Sequence, residues 1–246
     1  MIDNKVKGPK SKINELIRRY MVLTIALFIM AFGVSLSVKA NLGTSPISCV
    51  PYIISLFSPL TIGQATIIMH VVFISIQIIL LRRNYKPLQL LQLPVAFIFG
   101  YFTDFTMWLL SDLHPSTYLL QWFFTMLSLV VIAFGVFLEV HAHVIMLAGE
   151  GLVLALYEVT HIEFGKIKVA ADVLQVIIGI TLSFIFLHGL YGIREGTLAA
   201  SLVVGTLVRL FSRHFHFIDT FLSNDNPEKQ YHKDFPEEEE VLKQDC

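Results

Sequence analysis

Residues 39–55 read KANLGTSPISCVPYIIS and follow an apolar run long enough to be a membrane helix. The stretch holds a glycine, a Thr-Ser-Pro triplet and a second proline, residue types that end one helix and begin the next. The apolar segment that starts at Pro46 stops near Leu60. About 15 residues at 1.5 Å each give only ~22 Å, less than the roughly 30 Å of a hydrocarbon core. The stretch therefore predicts a half-helix.

Composition indicates an integral membrane protein. Of the 246 residues, 55% are hydrophobic and 15% are charged, with a formal net charge of -1, whereas soluble domains are about a quarter charged. Six apolar segments are long enough to cross a bilayer, at 21–40, 62–81, 88–110, 118–140, 167–187 and 193–211. A second short segment, 144–159, resembles 46–60 in length. We expect the first segment to be a retained helix, because no cleavage site follows it.

The positions of basic residues predict the topology. The N-terminal segment is strongly basic and is expected in the cytoplasm, where Lys and Arg accumulate. If 46–60 dips into the membrane and returns, the loop with Arg82, Arg83 and Lys86 is also cytoplasmic. We therefore predict six crossings and two re-entrant half-helices in the inner membrane, with both termini cytoplasmic. Eight crossings are the alternative.

The two halves of the chain resemble each other. AFGVSLSV at 31–38 matches AFGVFLEV at 133–140, and the same 102-residue offset pairs Gly63 with Gly165. Because each half has an odd number of crossings, the halves would be inverted relative to each other. The predicted fold is an all-α polytopic membrane protein with two inverted-topology repeats, each of three transmembrane helices and a re-entrant half-helix. The expected segments are a basic one at 1–19, repeats at 20–115 and 116–215, and an acidic, disordered cytoplasmic tail at 216–246.

A family resemblance rests on ANLGTSP at 40–46, with weaker support from TIGQ at 61–64 and GIREGT at 192–197. With these motifs, residues 20–212 resemble the YczE/YyaS/YitT-like bacterial membrane proteins, particularly the uncharacterised YczE-like branch. The resemblance implies a polytopic inner-membrane protein of the kind labelled either a transporter or simply a membrane protein. It supplies no catalytic residue and no substrate, and Ile47 stands where some relatives carry a Trp.

The first half-helix begins at a candidate substrate site. The first N–H groups of a helix have no partner carbonyls and form a partly positive end that holds anions. Thr44 or Ser45 would cap that end. The alternative is a capped helix start in an ordinary loop. The candidate substrate-binding residues here are Asn41, Gly43, Thr44 and Ser45.

Glu150 is the strongest single candidate in the second half, where the 102-residue offset pairs it with Ser48. An ionisable residue at membrane depth is costly and usually faces a cavity, a partner or a proton route. We therefore predict that Glu150 binds substrate. The alternative is an interfacial carboxylate near the cytoplasmic surface.

Other polar residues in apolar segments are candidates for coupling or gating. Lys168 and Asp172 are four residues apart, so they share a helix face and pair; the offset matches Asp172 to His70. A titrating His–Asp couple would serve proton coupling, and a structural ion pair is the alternative. Asp104 would line an outer entrance, and glutamines such as Gln77 and Gln92 would bond across helices. The full coupling or gating set is His70, Asp104, Lys168, Asp172, Arg194 and Glu195.

Catalysis and metal binding have no specific motif. In EVHAH, His141 and His143 are two residues apart and so point away from each other on a helix, which disfavours a shared metal. Nucleophile elbows, Walker loops, HExxH and CxxC motifs do not occur in the sequence. We expect no enzyme activity, no cofactor and no bound metal.

The sequence favours a secondary transporter of a small anionic or zwitterionic metabolite, bound between two half-helices near the bilayer midplane. The competing functions are a non-transporting accessory or regulatory membrane protein, and a passive channel. The expected partners are the small-molecule substrate and membrane lipid, with nucleic acid not expected and a homo-oligomer left open.

Overall fold

The computed structural model describes residues 9–142 and 144–214, with side chains from residue 15 onward. Its helices are α1 (Pro9–Ala40), α2 (Pro46–Phe57), α3 (Ile62–Leu81), α4 (Gln92–Leu109), α5 (Tyr118–Ala142), α6 (Ala148–Thr160), α7 (Phe164–Leu187) and α8 (Glu195–His214). Two 3₁₀ turns, Arg82–Asn84 and Pro87–Leu91, join α3 to α4. The expectations for residues 1–8, for His143 and for the acidic tail lie outside the described residues.

The long and short helices fall where the apolar segments predicted them. Within the described part of the chain, six helices are long and apolar enough to cross a membrane, which is the make-up of a multi-pass membrane protein. The half-helix candidates α2 and α6 have 12 and 13 residues, or about 18–20 Å. The largest differences lie at three starts: α1 begins before its apolar run, α4 begins at Gln92 rather than residue 88, and α6 begins at Ala148 rather than near residue 144.

Helix boundaries repeat with the 102-residue offset. Helix α1 ends at Ala40 and α5 ends at Ala142. Helices α2 and α6 start at Pro46 and Ala148, and helices α3 and α7 start at Ile62 and Phe164. The order of a long helix, a short helix and a long helix therefore recurs in both halves, with the same length for the first connection and a difference of one residue in the second.

The centre of the molecule is the crossing of α1 and α5. A Cβ on Gly33 would lie 2.7 Å from the Ile132 side chain and 3.0 Å from its backbone nitrogen, and one on Gly135 would overlap Met30. Small residues at such a crossing let two backbones approach closely, which is how membrane helices gain packing energy. A core of buried apolar side chains surrounds the crossing, including Leu27.

The remaining helices pack around this pair. Helix α4 lies on α1 and is bonded to it through buried hydroxyls, since Ser35 Oγ and Thr106 Oγ1 are 2.7 Å apart. Helix α8 packs on α5, α3 packs on α4 and α6, and α7 packs on α2 and α6. Both short helices thus pack against the same two longer ones, α3 and α7.

Candidate functional site

The first turns of α2 and α6 touch each other. Ile47 is the second residue of α2, Gly149 is the second residue of α6, and the Ile47 side chain fills the space that a Cβ on Gly149 would need. The N-terminal turn of an α-helix carries unpaired N–H groups and a partial positive charge. Two such ends therefore meet at one place, although their side chains give them different chemistry.

The α2 end is polar and uncharged. Ser45 occupies the N-cap position, yet its side chain does not cap: Ser45 Oγ donates to Ser48 Oγ at 3.0 Å instead of accepting a helix N–H. The predicted side-chain cap is therefore not formed, because the two hydroxyls pair with each other. Thr44, Ser45 and Ser48 are all buried. Residues 40–60 contain no charged side chain, so the positive helix end is not neutralised from within this segment.

The loop before α2 is fixed by the start of α8. The Thr44 N–H donates to the Gly192 carbonyl at 3.1 Å, and the Gly196 N–H donates to the Leu42 carbonyl at 2.8 Å. Gly43 has a φ angle of 100°, and a Cβ there would lie 2.7 Å from the backbone nitrogen of Arg194. Only glycine suits both the conformation and the close approach.

Two of the predicted gating residues lie at the edge of this loop. Arg194 Nη1 donates to the Asn41 carbonyl at 3.0 Å, which brings together residues from the two halves of the chain. Arg194 Nε also lies 3.3 Å from Glu195 Oε2, and both side chains are about half exposed. Arg194 and Glu195 thus form an ion pair at the surface, and Arg194 holds the loop before α2 in place through Asn41.

The α6 end is capped by a carboxylate that sequence analysis had considered only as part of a disfavoured metal motif. Glu139, near the end of α5, is 3% exposed, and its Oε1 accepts the N–H of Leu147 at 2.7 Å. Leu147 is the N-cap residue of α6. The sequence held one signal for this role: the 102-residue offset pairs Glu139 with Ser37, as it pairs Glu150 with Ser48. The second half thus carries two carboxylates where the first half has serines.

Charges cluster beside the α6 end. Lys168 Nζ lies 3.1 Å from Asp172 Oδ1, which confirms the predicted pair. The charges of Glu139 and Glu150 also act on Lys168, and those two carboxylates act on each other. The group contains three carboxylates and one ammonium. Negative charges therefore outnumber positive ones in this group, so it attracts a proton or a cationic group and repels a further anion.

Two buried glutamines complete the α6 end. Gln77 of α3 is 0% exposed, and its Nε2 donates to the Ala148 carbonyl at 3.0 Å, so it does bond across helices as predicted. A Cβ on Gly151 would lie 3.0 Å from Gln77 Oε1 and 2.5 Å from Gln92 Nε2. Within the described ranges, three buried oxygens here have no hydrogen-bond donor: Gln77 Oε1, Gln92 Oε1 and Glu150 Oε2.

The other two candidates lie apart from these ends. His70 is 1% exposed and makes edge-to-face contacts with Phe73 and Phe99, so its surroundings differ from those of Asp172. Asp104 accepts from Thr61 Oγ1 at 2.6 Å and from the Gly63 N–H at 2.8 Å. These contacts make Asp104 a cap for the start of α3.

Comparison with known proteins adds a family. The searches of curated proteins and of solved structures found no match. A family match does extend over nearly all of the membrane-embedded chain, from residue 17 to residue 213. The chain therefore belongs to the Family of unknown function (DUF6198).

Proposed function

We propose that the protein is a secondary transporter of a small anionic or zwitterionic metabolite, bound between α2 and α6 near the bilayer midplane. The observation that carries the proposal is the contact of Ile47 with Gly149, which joins the first turns of the two short helices. Helix ends placed inside a membrane protein are a recurring way to hold ions and polar substrates.

We also propose that residues 20–115 and 116–215 are inverted repeats. Support comes from contacts that are exchanged by the 102-residue offset. In the first pair of contacts, Gly33 lies against Ile132 and Gly135 lies against Met30. In the second pair, Cys49 lies against Gly179 and Gly151 lies against Gln77. In each case, moving one residue forward by 102 and the other back by 102 turns the first contact into the second. Two halves related by a twofold axis have this property, and three crossings per half would place that axis in the membrane plane.

In the proposed cycle the two helix ends have different tasks. The uncharged α2 end, with Thr44, Ser45 and Ser48, receives the anionic group of the substrate. Glu150 receives a proton or an ammonium group, and the Lys168–Asp172 pair is remade as the two halves rock against each other. The kinship with YczE/YyaS/YitT-like proteins remains a prediction beside this proposal.

Replacing Glu150 by glutamine is expected to reduce substrate uptake at least about tenfold, because one lost charged hydrogen bond is worth about 1.5–3 kcal/mol. The matched control is Glu158→Gln, an exposed position in the same helix, which should leave uptake unchanged. The measurement is uptake of a panel of labelled carboxylates and amino acids into proteoliposomes under an imposed pH gradient. Folded protein that moves none of the panel would refute the transporter proposal.

The inverted topology makes a separate prediction about the loop between α3 and α4. A cysteine at Asn84, in a Cys246→Ser background, should react with a membrane-impermeant maleimide only in inside-out vesicles. Cys49 is buried and should not contribute. Labelling of intact cells would instead favour eight crossings. Reaction on the inner side would support an inner-membrane protein with a cytoplasmic N-terminus, because that loop and the N-terminus would then share a side.

A further inference from the structure

We infer that the ligand of this site is a zwitterion, with its carboxylate at the α2 end and its protonated amine held at the α6 end by Glu150, Gln77 and Gln92. The inference rests on the proposed function and narrows its substrate class. It also assigns two ligand-binding residues, Gln77 and Gln92, that sequence analysis had considered structural.

The α6 end is built to reject an anion. The N–H of Leu147, which a bound anion would otherwise use, is already taken by Glu139 Oε1 at 2.7 Å. Glu150 and Asp172 add two more carboxylates, against the single ammonium of Lys168. The partial positive charge of the helix end is thus outweighed by the side chains around it.

Three buried acceptor atoms at the same end have no hydrogen-bond donor in the described part of the chain. Gln77 is 0% exposed and Gln92 is 4% exposed, yet the Oε1 atom of each is without a donor in the described part of the chain. The Gln77 amide has its orientation fixed, since Nε2 donates to Ala148, so Oε1 is the atom left free. Glu150 Oε2 is also buried without a hydrogen-bond donor among the described residues.

A protonated amine supplies what these oxygens lack. A primary ammonium has three N–H donors and no acceptor, and buried acceptors gain most from a charged donor. Gly151 lets both glutamine side chains lie close to the first turn of α6, because a Cβ there would press on them. The site therefore pairs three unpartnered acceptors with a group that only donates.

The α2 end has the opposite character. Ser37 and Ser48 stand at the positions equivalent to Glu139 and Glu150, so this helix end keeps its positive character. The partial positive charge of such an end suits the carboxylate of a ligand. Because Ile47 and Gly149 bring the two ends into contact, one small molecule with both charges satisfies both ends.

The test compares three probe series on the purified full chain in detergent, by thermal shift and by titration calorimetry. The series are α-, β- and γ-amino acids, the same molecules without the amine, and the same molecules without the carboxylate. We expect saturable stabilisation by members of the amino-acid series alone. Glu150→Gln and Gln92→Met should each weaken that binding about tenfold or more, and Glu158→Gln should not.

The outcomes separate this inference from the transporter proposal. Carboxylates that bind as well as their amino acids, with no effect of Glu150→Gln, would overturn the inference and leave an anion transporter standing. Amines that bind alone would overturn the carboxylate assignment at α2. Absence of binding by all three series, with the protein still folded, would overturn the inference, while uptake in proteoliposomes would decide the transporter proposal independently.

Discussion

Replacing Glu139 by alanine is expected to lower the stability of the protein by about 2–3 kcal/mol, or roughly 5–10 °C in the midpoint of thermal unfolding. The variant would leave the Leu147 N–H buried without its acceptor, and an unsatisfied buried donor costs about 1–3 kcal/mol. The same bond fixes the residue before α6, so we expect a cost in the upper part of that range. Thermal unfolding of the purified protein measures the effect.

Glu139→Gln separates the hydrogen bond from the charge. Glutamine keeps a carbonyl oxygen for the Leu147 N–H, so we expect most of the stability to be retained. It removes one of the three carboxylates that act on Lys168, so the transporter proposal predicts that the dependence of uptake on the imposed pH gradient will change. If Glu139→Ala is as stable as the native protein, the carboxylate is not the cap of α6.

The second large effect is expected at Gly63. A Cβ at this position would overlap the carbonyl oxygen of Gly100 and approach the Asp104 carboxylate to 2.6 Å. Neither can move freely, because one is backbone in α4 and the other caps α3. We expect Gly63→Ala to destabilise the protein by about 1–3 kcal/mol, the usual range for overpacking.

The matched control lies 102 residues further along the chain. No described atom lies within 4 Å of a Cβ built on Gly165, so Gly165→Ala should leave stability unchanged or raise it by up to about 1 kcal/mol through helix propensity. Thermal unfolding of both variants in the same detergent makes the comparison. Equal destabilisation by the two substitutions would contradict the packing described for α3 and α4.

The helices were predictable from the sequence because hydrophobic length and helix-starting residues act locally. The run at 62–81 became α3 without change, and Pro46 marked the start of α2. The start of α6 was harder, since 144–147 is apolar but lies outside the helix. The helix begins after Leu147 because Glu139 holds that residue's N–H, a contact between elements that hydropathy alone does not encode.

The site was predictable only in part. The Lys168–Asp172 pair followed from a spacing of four on one helix, and the 102-residue offset drew attention to Glu150. The role of Asp104 did not follow, since its partners Thr61 and Gly63 are on another helix. Gln77 bonds across helices as expected. The unpartnered oxygens of Gln77 and Gln92, however, became visible only when their surroundings were known.

The packing difference at Gly63 and Gly165 has a consequence for movement. Gly63 of α3 is packed against Gly100 of α4. The equivalent residues in the second half are not packed: no described atom lies within 4 Å of a Cβ built on Gly165 of α7, and Leu202 of α8, which the offset pairs with Gly100, is 74% exposed. In a transporter made of two inverted halves, exchanging the conformations of the halves converts an inward-facing state into an outward-facing one. The opposite state would then close α7 onto α8 at Gly165 and Leu202, and part α3 from α4. A spin-label pair on α7 and α8 should shorten its distance in that state, as a pair on α3 and α4 lengthens.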